Sequence, residues 1–166
     1  MPPANLFGSD KDMNTKPPPD VVVTGTARDF FQQIVTGKHQ LVADEPADVD
    51  LGTDKGPSPY DYLLAALGTC TSMTIGWQAR KRKIPLEGIK VSLWQSRVHA
   101  KDCEDCLTKE GMIHQIDLDI ELRGNFTPEQ RRILMQAAER CPVHRTLTSE
   151  IKIRTRDVGA PLPPQS

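Results

Sequence analysis

The stretch at 58–83 most constrains the fold, because it predicts one long helix with a clear beginning and end. Ser58 is a good N-cap, Pro59 suits the first helical position, and Asp61 stands where a carboxylate can complete a capping box. The basic residues at 80–83 complement the negative end of the helix dipole. At about 24 residues the helix spans roughly 36 Å, so we expect it to cross the whole domain.

One face of this helix is predicted to be apolar and to face the core. Seven residues recur at helical spacing and form this stripe: Leu63, Ala66, Leu67, Cys70, Met73, Thr74 and Trp77. A cysteine on such a stripe is most simply a small core side chain, since free cysteine is among the most buried residue types. The alternative is that Cys70 is a nucleophile held away from water.

The rest of the pattern predicts an α+β fold. A polar loop is expected at 44–57, a second helix is expected to start at Thr127-Pro128, and a short helix at 143–148. Strands are expected at 21–26, 30–43, 89–99, 115–122 and 150–155. Strands and helices do not alternate as regular βαβ units, which favours the α+β class.

Composition favours a single folded domain of about 138 residues, 20–157. The segments 1–19 and 158–166 are rich in proline and polar residues, and we expect both to be disordered tails. The net charge of −1 offers no basic excess for nucleic acid. The sequence carries neither a secretory signal pattern nor an apolar run long enough for a membrane, so we expect a cytoplasmic protein.

Cys141 precedes a proline that should end one helix and begin the next, which places it near an N-cap. Unpaired N–H groups at a helix start favour a thiolate. The alternative is a plain helix-breaking turn that contains a cysteine, and the residues alone leave both interpretations open.

Cys103 and Cys106 form a C-x-x-C pair in the polar connection at 100–110. Such a pair indicates a reversible disulfide or, with His99 and His114, a weak zinc pattern. The remaining alternative is that both cysteines are exposed and only incidentally reactive.

Three motifs together resemble the OsmC/Ohr family, and most of all its OsmC-like branch. They are GPSPYDYLLAALGTCTSM at 56–73, IPLEGIKV at 84–91 and ERCPVHRTL at 139–147. A cysteine loop like the one at 102–106 also occurs in that branch. The resemblance covers 20–157.

The resemblance implies an intertwined homodimer in which antiparallel sheets built from both chains surround long central helices. It implies reduction of organic hydroperoxides in oxidative-stress defence, with Cys70 as the peroxidatic thiol, Cys141 as the resolving thiol and an external dithiol as reductant. No cofactor or metal is expected. The substrate pocket would be lined by the apolar residues near Cys70: Leu63, Leu67, Met73 and Trp77.

The sequence departs from the family pattern at the residues that activate the thiol. Where the peroxidases carry a glutamate ten residues before the first cysteine, this chain has Tyr60, and the nearest acid is Asp61. Arg28 is the best match for the activating arginine, with Lys38 behind it. We therefore keep a second hypothesis, a small-molecule binding or redox-sensing module without strong catalysis.

Overall fold

The computed structural model describes residues 17–103 and 106–159. Their contacts form two compact units, one ending at Pro59 and one beginning at Tyr60. The predicted disordered tails lie largely outside the described residues, and their described parts carry neither helix nor strand. Within the described ranges, no helix is both long and apolar enough to cross a membrane.

The first unit is a three-stranded antiparallel meander. Its strands follow one another in the sheet as β1 (Val22–Gly25), β2 (Gln32–Thr36) and β3 (His39–Ala43). The predicted run at 30–43 is thus folded into two strands. Gly37 forms the turn between them with a φ of 55°, a conformation that glycine adopts at little cost.

The second unit carries the remaining elements. They are α1 (Pro59–Lys81), β4 (Leu86–His99), β5 (Met112–Gly124), α2 (Pro128–Glu139) and α3 (Pro142–Leu147). Small antiparallel sheets and helices therefore confirm the predicted α+β class. The prediction of a strand at 150–155 is wrong for the single chain, because the segment has no regular structure there and Ile151 and Ile153 are exposed. A strand needs a paired edge, and alternating isoleucines do not supply one.

Helix α1 has 23 residues and begins at Pro59, as predicted. It ends in a Schellman motif: the Ile84 N–H donates to the Ala79 carbonyl at 2.9 Å and the Lys83 N–H to the Arg80 carbonyl at 3.2 Å. Lys83 has the left-handed φ of 54° that this motif requires.

The buried face of α1 differs from the predicted stripe by a rotation about the helix axis. The buried residues are Leu67, Gly68, Thr71, Ile75 and Ala79. Of the predicted stripe only Leu67 belongs to them, while Met73 is 71% and Trp77 54% exposed. Sequence spacing finds an apolar face but cannot say which of two adjoining faces packs on the core.

Strands β4 and β5 form an antiparallel pair that covers the core. The predicted alternation in β5 is confirmed, because its isoleucines and leucines are buried or half-buried while the intervening polar residues are exposed. Gly68 lets α1 approach β4 closely, since a Cβ there would lie 2.7 Å from a Leu93 methyl group. The buried core consists of Ile75, Ala79, Ile84, Leu122 and Leu134.

The start of α2 is held by the predicted capping box. The Gln130 N–H donates to the Thr127 hydroxyl at 3.2 Å, and the Thr127 N–H donates to the Gln130 side-chain oxygen at 2.8 Å. Leu134 and Ala137 anchor the buried face of this helix. The packing of α2 therefore fixes the position of Cys141, which follows its C-terminal end.

Candidate thiol site

Cys141 lies at the junction of α2 and α3, at the N-cap position that the sequence predicts. Its N–H donates to the Ala138 carbonyl at 3.1 Å, and its own carbonyl accepts from the Arg145 N–H at 3.0 Å. Pro142 occupies the first position of α3, where a missing N–H costs nothing. These bonds hold the Cys141 side chain inward, where it is 0% exposed.

Cys70 and Cys141 are both free thiols, and the structure brings them together. The two thiols lie close enough that each shifts the pKa of the other. Cys70 is half-buried in the middle of α1, whereas Cys141 is sealed from solvent. The couple thus joins two residues far apart in the sequence and presents one of its sulfurs to the exterior.

The surroundings shift the pKa values of the two thiols in opposite directions. Burial raises the pKa of Cys70, and the neighbouring Cys141 raises it further. Burial also opposes ionisation of Cys141, but hydrogen-bond donors outweigh it and the pKa of Cys141 is lowered. These opposite shifts favour the thiolate form of Cys141 over that of Cys70.

The donors that act on Cys141 come from two elements. In order of effect they are the His144 N–H, the Cys70 thiol, the Thr71 hydroxyl and the Val143 N–H. The Cys141 side chain makes no capping hydrogen bond to the start of α3. The groups with the largest effect on the Cys70 pKa include no cation.

A groove of about 720 Å³ opens beside Cys70 within the second unit. Its apolar lining comes from α1, α2 and the start of α3: Met73, Trp77, Ile133, Ala137 and Pro142. Three cations line it as well: Lys81, Arg82 and Arg140. Cys70 lines the groove and Cys141 does not, so a molecule in the groove meets only the Cys70 sulfur.

Two of the four residues predicted to line a substrate pocket, Met73 and Trp77, lie in this groove beside Cys70. Leu63 and Leu67 do not line it, since Leu67 is turned into the core and is 2% exposed. The residues that the sequence analysis missed are those that α2 contributes, because their approach to α1 is a tertiary contact.

The two residues predicted to activate Cys70 belong to different units of the chain. Arg28 is exposed between β1 and β2 in the first unit, where its N–H donates to the Thr26 hydroxyl at 3.2 Å. Asp61 is exposed in the first turn of α1. Tyr60, which stands where the peroxidases carry glutamate, stacks on the His114 ring with centroids 6.3 Å apart. The activating roles of Arg28 and Asp61 stay predictions.

Cys103 and Cys106 are joined by a disulfide beyond the end of β4, and both are half-buried. The bond occupies both sulfurs, so they do not act as zinc ligands in this state. His114, a ligand of the weak zinc pattern, contacts Tyr60 instead. In the described part of the chain, no three His, Cys, Asp or Glu side chains are grouped to hold a metal ion.

Thr71 is a further residue near the thiols that the sequence analysis missed. It is the one polar side chain other than glycine on the buried face of α1, and it is 1% exposed. Its position directly after Cys70 could have drawn attention to it, but only the observed rotation of α1 turns it toward Cys141.

The second unit thus places two free thiols near each other, one of them beside a groove with apolar and cationic lining. Comparison with protein families matches residues 52–156 to the family described as OsmC-like protein. This chain therefore belongs to the OsmC-like family, which confirms the resemblance found in its sequence. No curated protein sequence matches it significantly.

Solved structures of the same fold include three named OsmC or Ohr proteins. An OsmC-like protein from Mycoplasma pneumoniae is 21% identical with a TM-score of 0.59, covering 81% of this chain and 89% of its own. An organic hydroperoxide resistance protein OsmC from Legionella pneumophila is 19% identical, with a TM-score of 0.55 and coverage of 83% and 92%. The organic hydroperoxide resistance protein OhrB of Bacillus subtilis is 16% identical, with a TM-score of 0.52 and coverage of 77% and 88%. At these identities the likeness establishes the fold.

Proposed function

We propose that this protein is a thiol-dependent peroxidase that reduces organic hydroperoxides through Cys70 and Cys141, in defence against oxidative stress. The observation that carries the proposal is the proximity of the two free thiols, one of which lines a groove with an apolar wall. Membership of the OsmC-like family and the names of its Ohr structural neighbours support it.

In the first step, Cys70 attacks the hydroperoxide because it is the sulfur that meets the groove. Cys141 accepts the Cys70 proton, so that the Cys70 thiolate can attack the terminal peroxide oxygen. The O–O bond breaks, Cys70 becomes a sulfenic acid, and the leaving alkoxide takes the proton from Cys141 and departs as the alcohol.

In the second step, the buried sulfur resolves the intermediate. The Cys141 thiolate attacks the sulfenic sulfur, an S–S bond forms, and the oxygen leaves as hydroxide, which is protonated to water. An external dithiol then reduces this disulfide by exchange and becomes a disulfide itself. A sulfur whose pKa is lowered suits this step, because more of it is present as the attacking thiolate once its proton has gone to the alkoxide.

The groove favours a substrate with an apolar body. Met73, Trp77 and Ile133 offer apolar contact to an alkyl or aryl group, and the adjoining Cys70 meets the peroxide. Hydrogen peroxide would leave these contacts unused, so we expect organic hydroperoxides to be preferred.

The test measures peroxide-dependent oxidation of dithiothreitol with cumene hydroperoxide as substrate. We expect turnover by the native protein and its loss in Cys70→Ser, which has no sulfur to oxidise. In Cys141→Ser the sulfenic acid should persist and be trapped by dimedone. The matched control is the double variant Cys103→Ser/Cys106→Ser, which removes the other two cysteines and should retain turnover.

A second function, a binding or redox-sensing module, is favoured by the lack of a cation among the main influences on the Cys70 pKa. It predicts that intact protein binds apolar ligands in the groove without consuming dithiol. Absence of dithiol consumption by folded, reduced protein would therefore contradict the peroxidase proposal and support this one.

A further inference from the structure

We propose that Thr71 is a positioning residue, whose hydroxyl donates to the Cys141 sulfur and fixes which of the two paired sulfurs keeps the negative charge. The proposal rests on the same thiol couple as the proposed function. It adds a residue that neither the family resemblance nor the sequence pattern assigns to the site.

The first observation is that the Thr71 hydroxyl makes no conventional hydrogen bond among the described residues, although it is 1% exposed. Buried hydroxyl groups are nearly always paired, because a lost bond to water must be replaced. An unpaired one in the middle of a helix, directly beside a thiol couple, therefore needs an explanation.

The second observation is how the other threonines of the described helices behave. A helical threonine ordinarily satisfies its hydroxyl by donating to the carbonyl four residues before it. Thr69 does so to Ala65 at 2.7 Å, Thr74 to Cys70 at 2.7 Å, and Thr146 to Pro142 at 3.0 Å. Thr71 is the most buried of the four and alone lacks this bond.

The third observation is what the hydroxyl acts on instead. The Thr71 hydroxyl is one of the groups that lower the pKa of Cys141, so it favours the charged form of that sulfur. A hydroxyl bonded to a thiolate gains more than one bonded to a neutral carbonyl, because the acceptor carries a full charge. Thr71 thus remains under-satisfied when Cys141 is a thiol and becomes satisfied when Cys141 is a thiolate.

Other titratable or charged groups lie near Cys141 in the chain or beside the adjoining groove. Cys70 faces it from α1, Arg140 precedes it, and His144 follows in α3 with its ring Nδ1 3.1 Å from the Glu139 carbonyl oxygen. Lys81 and Arg82 line the adjoining groove. A variant at Thr71 leaves all of these in place, so a change in thiol ionisation can be assigned to the hydroxyl.

The experiment is a pH titration of the ultraviolet absorbance of thiolate in the full-length protein with Cys103–Cys106 left oxidised. Thr71→Val keeps the shape of the side chain and removes the hydroxyl. We expect the first thiol ionisation to move to higher pH, because the donor to the charged form is lost, and the thiolate fraction at neutral pH to fall roughly three- to tenfold. Thr71→Ser, which restores a hydroxyl, should titrate close to the native protein.

The matched control is Thr69→Val, which removes an exposed hydroxyl from the same helix and should leave the titration unchanged. Superimposable curves for Thr71→Val and the native protein would overturn the proposal, as would an equal shift in Thr69→Val. If Thr71→Val does not fold, Thr71→Ala replaces it under the same criteria. Because the readout is ionisation and not turnover, a protein without peroxidase activity can still pass or fail this test.

Discussion

At the scale of residues, the sulfur that a substrate can reach is not the sulfur whose pKa is lowered. Cys70 meets the groove, where a substrate can reach it, while the sealed Cys141 has the lowered pKa. A thiolate kept out of solvent is protected from uncontrolled oxidation, and a proton shared between the sulfurs makes the outer one reactive when a peroxide arrives. Thr71 is the group that we expect to maintain this asymmetry.

The groove gives a residue-scale prediction at Trp77. Replacing it with alanine should lower kcat/KM for cumene hydroperoxide roughly 5- to 30-fold, since about 1–2 kcal/mol of apolar contact is lost. The smaller tert-butyl hydroperoxide should be affected less. The measurement is steady-state turnover with both substrates.

A matched control exists for this prediction. Trp94 on β4 is 53% exposed, close to the 54% of Trp77, but it does not line the groove. Trp94→Ala should therefore leave the ratio between the two substrates unchanged. Equal losses in both variants would argue that the groove does not hold the substrate.

At the scale of elements, the segment at 150–155 makes the clearest prediction. Its alternating Ile151 and Ile153 are suited to a strand, yet both are exposed in the single chain. We propose that a second copy supplies the missing partner, as the intertwined dimer of the family resemblance implies. Sedimentation of the native protein should then give twice the 18.5 kDa of one chain.

A charge placed on this segment should weaken that dimer. We expect Ile153→Asp to shift the protein toward monomer, whereas Lys152→Glu, on the opposite face of the expected strand, should not. A native protein that sediments as a monomer at all concentrations would contradict the proposed dimer.

The start of each helix was predictable from sequence, because caps are made by neighbours in the chain. Pro59, Thr127-Pro128 and Cys141-Pro142 all lie at helix starts as predicted. The rotation of α1 was not predictable, since both of its adjoining faces carry apolar residues. The N-cap position of Cys141 was therefore foreseen, whereas the inward placement of Thr71 was not.

At the scale of the whole molecule, the proposed function depends on a contact between residues 71 positions apart along the chain, counting from 70 to 141. Helix α1 carries one thiol, and the end of α2 carries the other. The core under both helices, which includes Ile75 and Leu134, fixes their separation. The chemistry of the couple is thus a consequence of how the second unit packs.

The most direct test of this account is to map the disulfides formed when reduced protein receives one equivalent of cumene hydroperoxide. After alkylation of the remaining thiols, peptide mass spectrometry under non-reducing conditions identifies the linked cysteines. The account predicts that the peptides carrying Cys70 and Cys141 are joined to each other. Recovery of both as separate alkylated peptides, with the hydroperoxide consumed or not, would contradict it.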